Sequence, residues 1–155
     1  MSNSDNPSIG AAFQKAVQEF FNSDFGDGFE LERKIPIGNP LKDHKFDIVN
    51  AESQIVIECK CYTWTESGNV PSAKMGAVNE AVFYLSFLPN TYDKYIVMER
   101  VYNKKRKETL AEYYYRTYRH LLGTTIVAEY DPEKKELWKI EVNKRTLIRA
   151  TGYLA

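Results

Sequence analysis

Two β-strand patterns, separated by a three-residue link, occupy residues 45–62 of the sequence. The first is Lys45–Asn50 and the second is Gln54–Tyr62, and the link Ala51-Glu52-Ser53 has the length of a β-hairpin loop. We therefore expect two neighbouring antiparallel strands. A turn centred on this link pairs residues whose numbers sum to about 104 or 105, which places Asp47 opposite position 57 or 58.

The second strand pattern carries two charged residues, Glu58 and Lys60, within an otherwise apolar run. Alternate strand residues point to the same face, so both share a face with Val56. Burying a charge is costly unless it is paired or bound to an ion. Because Asp47 meets Glu58 here, one of the two carboxyl groups has a raised pKa unless a cation lies between them. A hard divalent cation, above all Mg²⁺, fits two carboxylates, a strand carbonyl and several waters.

The remaining patterns surround this hairpin with alternating helices and strands. Before the hairpin, the spacing predicts a helix that is capped by Ser8 and ends near Asn22, followed by a strand from Phe29 to Ile37. After the hairpin, it predicts a helix from Pro71 to Leu88, a strand from Lys94 to Tyr102, and a helix from about Glu108 to Leu122 with a left-handed cap at Gly123. The last predicted element is a closing hairpin of Thr124–Tyr130 and Leu137–Val142. The order αβββαβαββ indicates one α/β domain, residues 1–155, with a mixed β-sheet flanked by helices. Residues 1–7 are polar, and we expect them to be frayed.

The charge of the chain limits its partners. It has 155 residues, with 21 lysines and arginines against 21 aspartates and glutamates. Zero net charge excludes a surface that is basic throughout, so contact with nucleic acid must depend on local concentrations of positive charge. The longest apolar stretch, Val82–Leu88, is far shorter than the ~20 residues of a membrane-spanning helix, and the start lacks a signal pattern. We expect no membrane segment and a cytoplasmic location.

Positive charge concentrates in the second half of the chain, where residues 61–155 hold 15 bases and 11 acids. Lysines neutralise phosphates, and the tyrosines interleaved with them can stack on splayed bases. The predicted nucleic-acid contacts are Lys74, Lys104, Lys105, Arg106, Lys107, Arg116 and Arg119. The alternative is an ordinary solvated surface, in which the third helix buries a stripe of Leu110, Tyr114, Tyr118 and Leu121.

Cysteine and histidine near the hairpin give weaker signals. Cys59 and Cys61 lie on the apolar face of their strand at a spacing that matches no usual zinc pattern, so we expect neither a zinc site nor a disulfide. The segment Asp43-His44-Lys45 is interpreted as a loop just before the strand, from which His44 could assist Asp47.

Asp47, Glu58 and Lys60, on a hairpin that follows a helix and precedes a helix and a strand, resemble the PD-(D/E)xK nuclease superfamily, which has the restriction-endonuclease-like fold. The resemblance covers about residues 9–100 in the order of elements and depends on these three residues. It implies metal-dependent hydrolysis of phosphodiester bonds. Asp47, Glu58 and the carbonyl of Cys59 would hold Mg²⁺, for which Mn²⁺ would substitute, and Lys60 would orient or help deprotonate the attacking water.

The sequence departs from the family pattern at two positions. Phe46 replaces the proline that gives the motif its name. Many relatives have a glycine followed four residues later by a glutamate that reaches the metal; here Gly10 is followed by Gln14, which we take as the corresponding catalytic candidate. Glu19, one turn further along, is the acidic alternative on this helix.

Two functional hypotheses follow. The first is a Mg²⁺-dependent endonuclease acting on DNA in restriction, repair or junction resolution, as a homodimer if both strands are cut. The second is a catalytically silent nuclease-fold module that binds nucleic acid or a protein partner. A third interpretation of Asp47, Glu58 and Lys60 is a salt-bridged strand at a sheet edge.

Overall fold

The computed structural model describes residues 6–149 and 152–153. Its elements, in chain order, are α1 (Pro7–Phe25), β1 (Glu30–Ile37), β2 (Lys42–Asn50), β3 (Ile55–Lys60), α2 (Ser72–Leu85), β4 (Asp93–Glu99), β5 (Tyr102–Asn103), β6 (Glu108–Thr109), α3 (Leu110–Tyr118), β7 (Ile126–Asp131), β8 (Glu136–Glu141), β9 (Lys144–Arg149) and β10 (Gly152–Tyr153). One turn of 3-10 helix, Arg119–Leu121, follows α3. The described residues form a single α/β domain, as the alternation of patterns predicts.

The main sheet is mixed, with strand order β1-β2-β3-β4-β7-β8-β9-β10. Strands β3, β4 and β7 are parallel, and the flanking pairs are antiparallel. The central strands read as continuous apolar runs because they are buried on both faces; on β4, for example, Ile96 and Val97 are both fully buried and belong to different core clusters. Among the described residues, no helix has the length and apolar character needed to cross a membrane.

Helix α1 packs on one face of the sheet, called here the α1 face. Phe13, Val17 and Phe21 recur every four residues and are buried against β3, β4 and β7. The side chain of Asn6, not of the predicted Ser8, caps the helix by accepting the backbone N–H of Ser8 at 3.0 Å. Residues 6 and 7 are therefore not frayed, and residues 1–5 lie outside the described residues.

Helices α2 and α3 pack on the opposite face, called the α2 face. Met75, Val78, Val82 and Leu85 form the buried stripe of α2. Thr109 and Glu112 form a capping box at the start of α3, in which each side chain accepts the other's backbone N–H. Leu110 and Tyr114 are buried as predicted, but Leu121 is 51 % exposed because the helix changes to a 3-10 turn before it.

The last third of the chain contains more strands than the patterns predict. The closing hairpin of β7 and β8 is confirmed, and Gly123 has the predicted left-handed backbone, with φ 56°. The predicted strand Lys94–Tyr102 instead ends at Glu99, and Tyr102 begins the short β5–β6 hairpin. The sequence of strand β9 is rich in basic residues, and the patterns did not predict it. Its alternate residues Thr146 and Ile148 are nevertheless buried, as in a strand with one face on the core.

Candidate active site

The β2–β3 hairpin has the register predicted from its link. Ile48 pairs with Ile57, Val49 with Val56, and Asn50 with Ile55. The ladder stops at Ile48, and one step further along the same register Asp47 comes beside Glu58. There the Asp47 Oδ2 atom accepts the backbone N–H of Cys59 at 2.8 Å. A side chain thus replaces a main-chain acceptor at the point where the two strands separate.

A backbone irregularity marks the same point on the other side of β2. Phe46 and Ile48, two residues apart, pack on opposite faces of the sheet, although regular alternation would place both on one face. The register to β1 is unchanged across the break, with Leu31 opposite Ile48 and Arg33 opposite Phe46. The residue between those two on β1, Glu32, has φ 53°. The change of face therefore occurs at Asp47 without an inserted residue.

Asp47 and Glu58, called here the carboxylate pair, interact directly. Glu58 is only 6 % exposed. Burial, followed by the charge and side-chain hydrogen bond of Asp47, raises the pKa of Glu58 to about 9, while nearby Lys60 acts to lower it. Burial beside a second carboxyl group thus favours the protonated form of Glu58.

Glu58 of the carboxylate pair lines a groove between the hairpin and α2. Its lining is His44, Lys45, Glu58, Lys60, Ala77, Glu80, Ala81 and Tyr84. His44 lies within β2 rather than in the predicted loop, and its ring stacks on Tyr84 at 3.9 Å between centroids. His44 Nε2 is 4.0 Å from Glu58 Oε1. Burial lowers the pKa of His44, against the charges of Asp47 and Glu80, which act to raise it.

Gln14 reaches the hairpin from the α1 face. Its Nε2 atom donates a hydrogen bond to the backbone carbonyl of Asp47 at 3.1 Å. The structure thus places the Gln14 amide on the main chain of Asp47, on the face of the sheet opposite the groove that Glu58 lines. Glu19 is exposed and lines a different groove, between α1 and the β7–β8 turn.

The donor set at the carboxylate pair fits a hard cation. Asp47 and Glu58 supply carboxylate oxygens, and the strand carbonyl of Cys59 is a third oxygen. The described residues contain no group of three or more His, Cys, Asp or Glu side chains arranged around one metal position. A Mg²⁺ ion would therefore complete its coordination with water and substrate oxygens, as this ion commonly does. Burial raises the pKa of the Cys59 and Cys61 thiols, so neither is a thiolate donor at neutral pH.

The predicted basic contacts divide into two groups. Lys104, Lys105 and Lys107 are exposed at the tip of the β5–β6 hairpin, and Arg119 is exposed beyond α3. Lys74 lies on the first turn of α2, with its Nζ atom 5.2 Å from the Tyr62 ring.

Arg106 and Arg116 instead attach the β5–β6 hairpin to its surroundings. Arg116 donates two hydrogen bonds to Glu108, at 2.9 and 2.8 Å, and lowers the pKa of that carboxyl group. Arg106 lies 5.3 Å from the ring centroids of both Trp64 and Tyr113. These contacts position the hairpin and engage the two side chains that we predicted to bind nucleic acid.

A second buried carboxylate was missed in the sequence. Glu129 is fully buried, ion-paired with Arg145 and with Arg100 at 3.1 Å, and its Oε1 atom has no hydrogen-bond partner among the described residues. Arg145 also contacts Glu112 of α3 at 3.3 Å. The signal was the same as for Glu58, a charge inside an apolar strand. These contacts link β4, β7, β9 and α3.

A scan of the sequence against protein-family models gives no match, and searches of the curated proteins and of the solved structures give none either.

Proposed function

We propose that this protein is a Mg²⁺-dependent nuclease of the restriction-endonuclease-like fold that hydrolyses phosphodiester bonds in DNA. The observation that supports it is the carboxylate pair, in which the buried Glu58 lies next to Asp47 and lines a groove together with Lys60. The order of elements from α1 to β4 also agrees with the resemblance. A salt-bridged strand edge is a weaker explanation, because His44 is the partner found within 4.0 Å of Glu58 and burial lowers its pKa.

Each residue has a distinct task in this proposal. Bound Mg²⁺ would lower the pKa of a coordinated water and offset negative charge on the phosphate. Asp47 and Glu58 would hold the ion with the Cys59 carbonyl, and the Cys59 N–H fixes the Asp47 carboxylate. Lys60 holds a phosphate oxygen or the attacking water in the groove. Gln14 fixes the main chain at Asp47.

One observation favours the second candidate, a silent module that binds nucleic acid. Gln14 supplies a neutral amide, and the N–H of that amide donates a hydrogen bond to a backbone carbonyl. A neutral side chain adds no negative charge to the carboxylate pair to help hold a cation. The two candidates differ in whether Mg²⁺ produces cleavage.

Plasmid cleavage tests the proposal. Purified protein is incubated with supercoiled plasmid in Mg²⁺, in Mn²⁺ and in EDTA, alongside Asp47→Asn, Glu58→Gln and Lys60→Met. We expect metal-dependent cutting by the native chain and a loss of at least about a hundredfold in each variant. Glu52→Gln is the matched control, since Glu52 is an exposed carboxylate at the other end of the same hairpin. Metal-dependent cutting that survives Asp47→Asn would contradict the assignment.

A further inference from the structure

The chain that leaves β3 stays on the α2 face, the face on which the groove lies. Glu58 and Lys60 line the groove, and the next alternate residues, Tyr62 and Trp64, pack against the same core cluster on the α2 face. These four side chains therefore follow one another along one side of the molecule, as an acid, a base and two aromatic rings. Tyr62 and Trp64, called here the aromatic row, are both only half-buried.

Positive charges lie against each ring of the aromatic row. The Nζ atoms of Lys60 and Lys74 are 5.8 and 5.2 Å from the centroid of Tyr62. Two ammonium groups therefore lie beside the same ring. The Arg106 guanidinium lies 5.3 Å from the centroid of Trp64.

The aromatic row is held in place by hydrogen bonds. Trp64 Nε1 donates to the Val101 carbonyl at 2.9 Å. In the turn that follows, the backbone N–H of Asn69 donates a hydrogen bond to Thr65 Oγ1 at 2.9 Å. The side-chain amide of Asn103, in the β5–β6 hairpin, donates a hydrogen bond to the carbonyl of Gly68 at 3.0 Å. Rings that are already ordered lose little conformational entropy when a ligand stacks on them.

Alternating cations and half-exposed aromatic rings match the chemistry of single-stranded nucleic acid. Phosphates pair with the lysine ammonium groups, whereas Arg106 holds Trp64 and Glu108, and unpaired bases stack on the rings with a similar strength for every base. A duplex cannot use such rings, because its bases are already stacked on one another.

We propose that the aromatic row is the path of the scissile strand beyond the cut, and that the substrate is single-stranded there, as in a single strand or the unpaired arm of a fork. This inference depends on the proposed nuclease function for the location of the cut. It adds that Tyr62 stacks on a base next to the scissile phosphate, and that Lys60 and Lys74 contact the phosphates on either side of that base.

Binding in EDTA tests the surface without interference from cleavage. Fluorescence anisotropy is measured with a labelled single strand of about 16 nucleotides and with the matching duplex. We expect tighter binding of the single strand, a loss of roughly tenfold for that strand in Tyr62→Leu, and little change in Tyr62→Phe. Leucine keeps an apolar side chain against the core but has no aromatic face. Phe87→Ala is the control, because Phe87 is a 47 % exposed ring at the far end of α2.

A second variant covers the case in which Tyr62→Leu fails to fold. Lys74→Gln should lower the slope of log affinity against log salt by about 0.7 for the single strand, as loss of one phosphate contact does.

Equal binding of duplex and single strand by all variants would overturn the inference. If the duplex alone is cut and Tyr62→Leu cuts it normally, the nuclease proposal stands and the strand path is wrong. If single strands bind through Tyr62 but nothing is cut in Mg²⁺, the path stands and the nuclease proposal fails.

Discussion

Glu58 shows how much one buried acid depends on what surrounds it. On the same strand, Lys60 remains near water, whereas Glu58 is enclosed between β2 and α2 with the Asp47 carboxylate as its neighbour. This burial beside a second carboxyl group raises the pKa of Glu58 and favours a bound proton on it. The feature that makes Glu58 suitable for holding a cation is thus also a source of instability without one.

Replacing Glu58 by Gln should stabilise the metal-free protein at alkaline pH. Folding raises the pKa of Glu58 from about 4.5 to about 9, so between these values the folded chain holds a proton that the unfolded chain has released. Stability from this group therefore falls as pH rises through that window. Gln resembles the protonated acid, so Glu58→Gln should gain about 1 to 3 kcal/mol at alkaline pH over the native chain.

Urea unfolding in EDTA, at mildly acidic and at alkaline pH, measures this difference. Glu80→Gln is the control, since Glu80 is an exposed acid in the same groove. A Glu58→Gln protein that is no more stable than the native chain at alkaline pH would show that Glu58 ionises freely in the fold.

The strands and helices are joined by ion pairs as well as by apolar contact. Glu129 of β7 is paired with Arg100, just beyond β4, and with Arg145 of β9, and Arg145 extends the contact to α3. Removing one member of a buried pair leaves an uncompensated charge, which usually costs more than the pair itself contributes.

Arg145→Met should therefore destabilise the fold by about 3 kcal/mol, whereas Arg100→Met should cost less because Arg100 is the more exposed partner. The double variant Glu129→Leu with Arg145→Met should recover much of that loss, since no charge is then left buried at this position. Denaturant unfolding of the three variants checks this. Equal and small changes in the free energy of unfolding in all three variants would mean that the ion pairs of Glu129 contribute little to stability.

The β5–β6 hairpin presents its three lysines, Lys104, Lys105 and Lys107, to solvent. If they contact phosphates, replacing all three by Ala should weaken binding of any nucleic-acid sequence and reduce the salt slope by about two to three. The hairpin should stay in place, because Arg106, Arg116 and Glu108 are unchanged. Anisotropy titrations at several salt concentrations measure the slope, and an unchanged slope would assign these lysines to the solvated surface.

At the scale of the molecule, the sequence predicts the framework of the site better than its surroundings. The length of the link and the alternation of side chains were sufficient to place Asp47 beside Glu58. The change of face at Asp47 was not predictable, because Glu32, with its positive φ, is neither glycine nor asparagine.

The residues beyond β4 show why the rest of the fold was harder to predict. Residues 103–107 have the pattern of a basic loop, but the β5–β6 hairpin is ordered by contacts of Asn103, Arg106 and Glu108. Pairing between such short strands depends on contacts with α3 and with the Trp64 loop, which are distant in the sequence. Local patterns carry no information about such contacts.

The central claim is that Asp47 and Glu58 bind one divalent cation, and calorimetric titration with Mn²⁺ tests it most directly. We expect about one ion per chain in the native protein and in Glu52→Gln, with affinity reduced at least about tenfold in Asp47→Asn and in Glu58→Gln. Equal Mn²⁺ binding by all four proteins, or none by the native chain, would contradict the account.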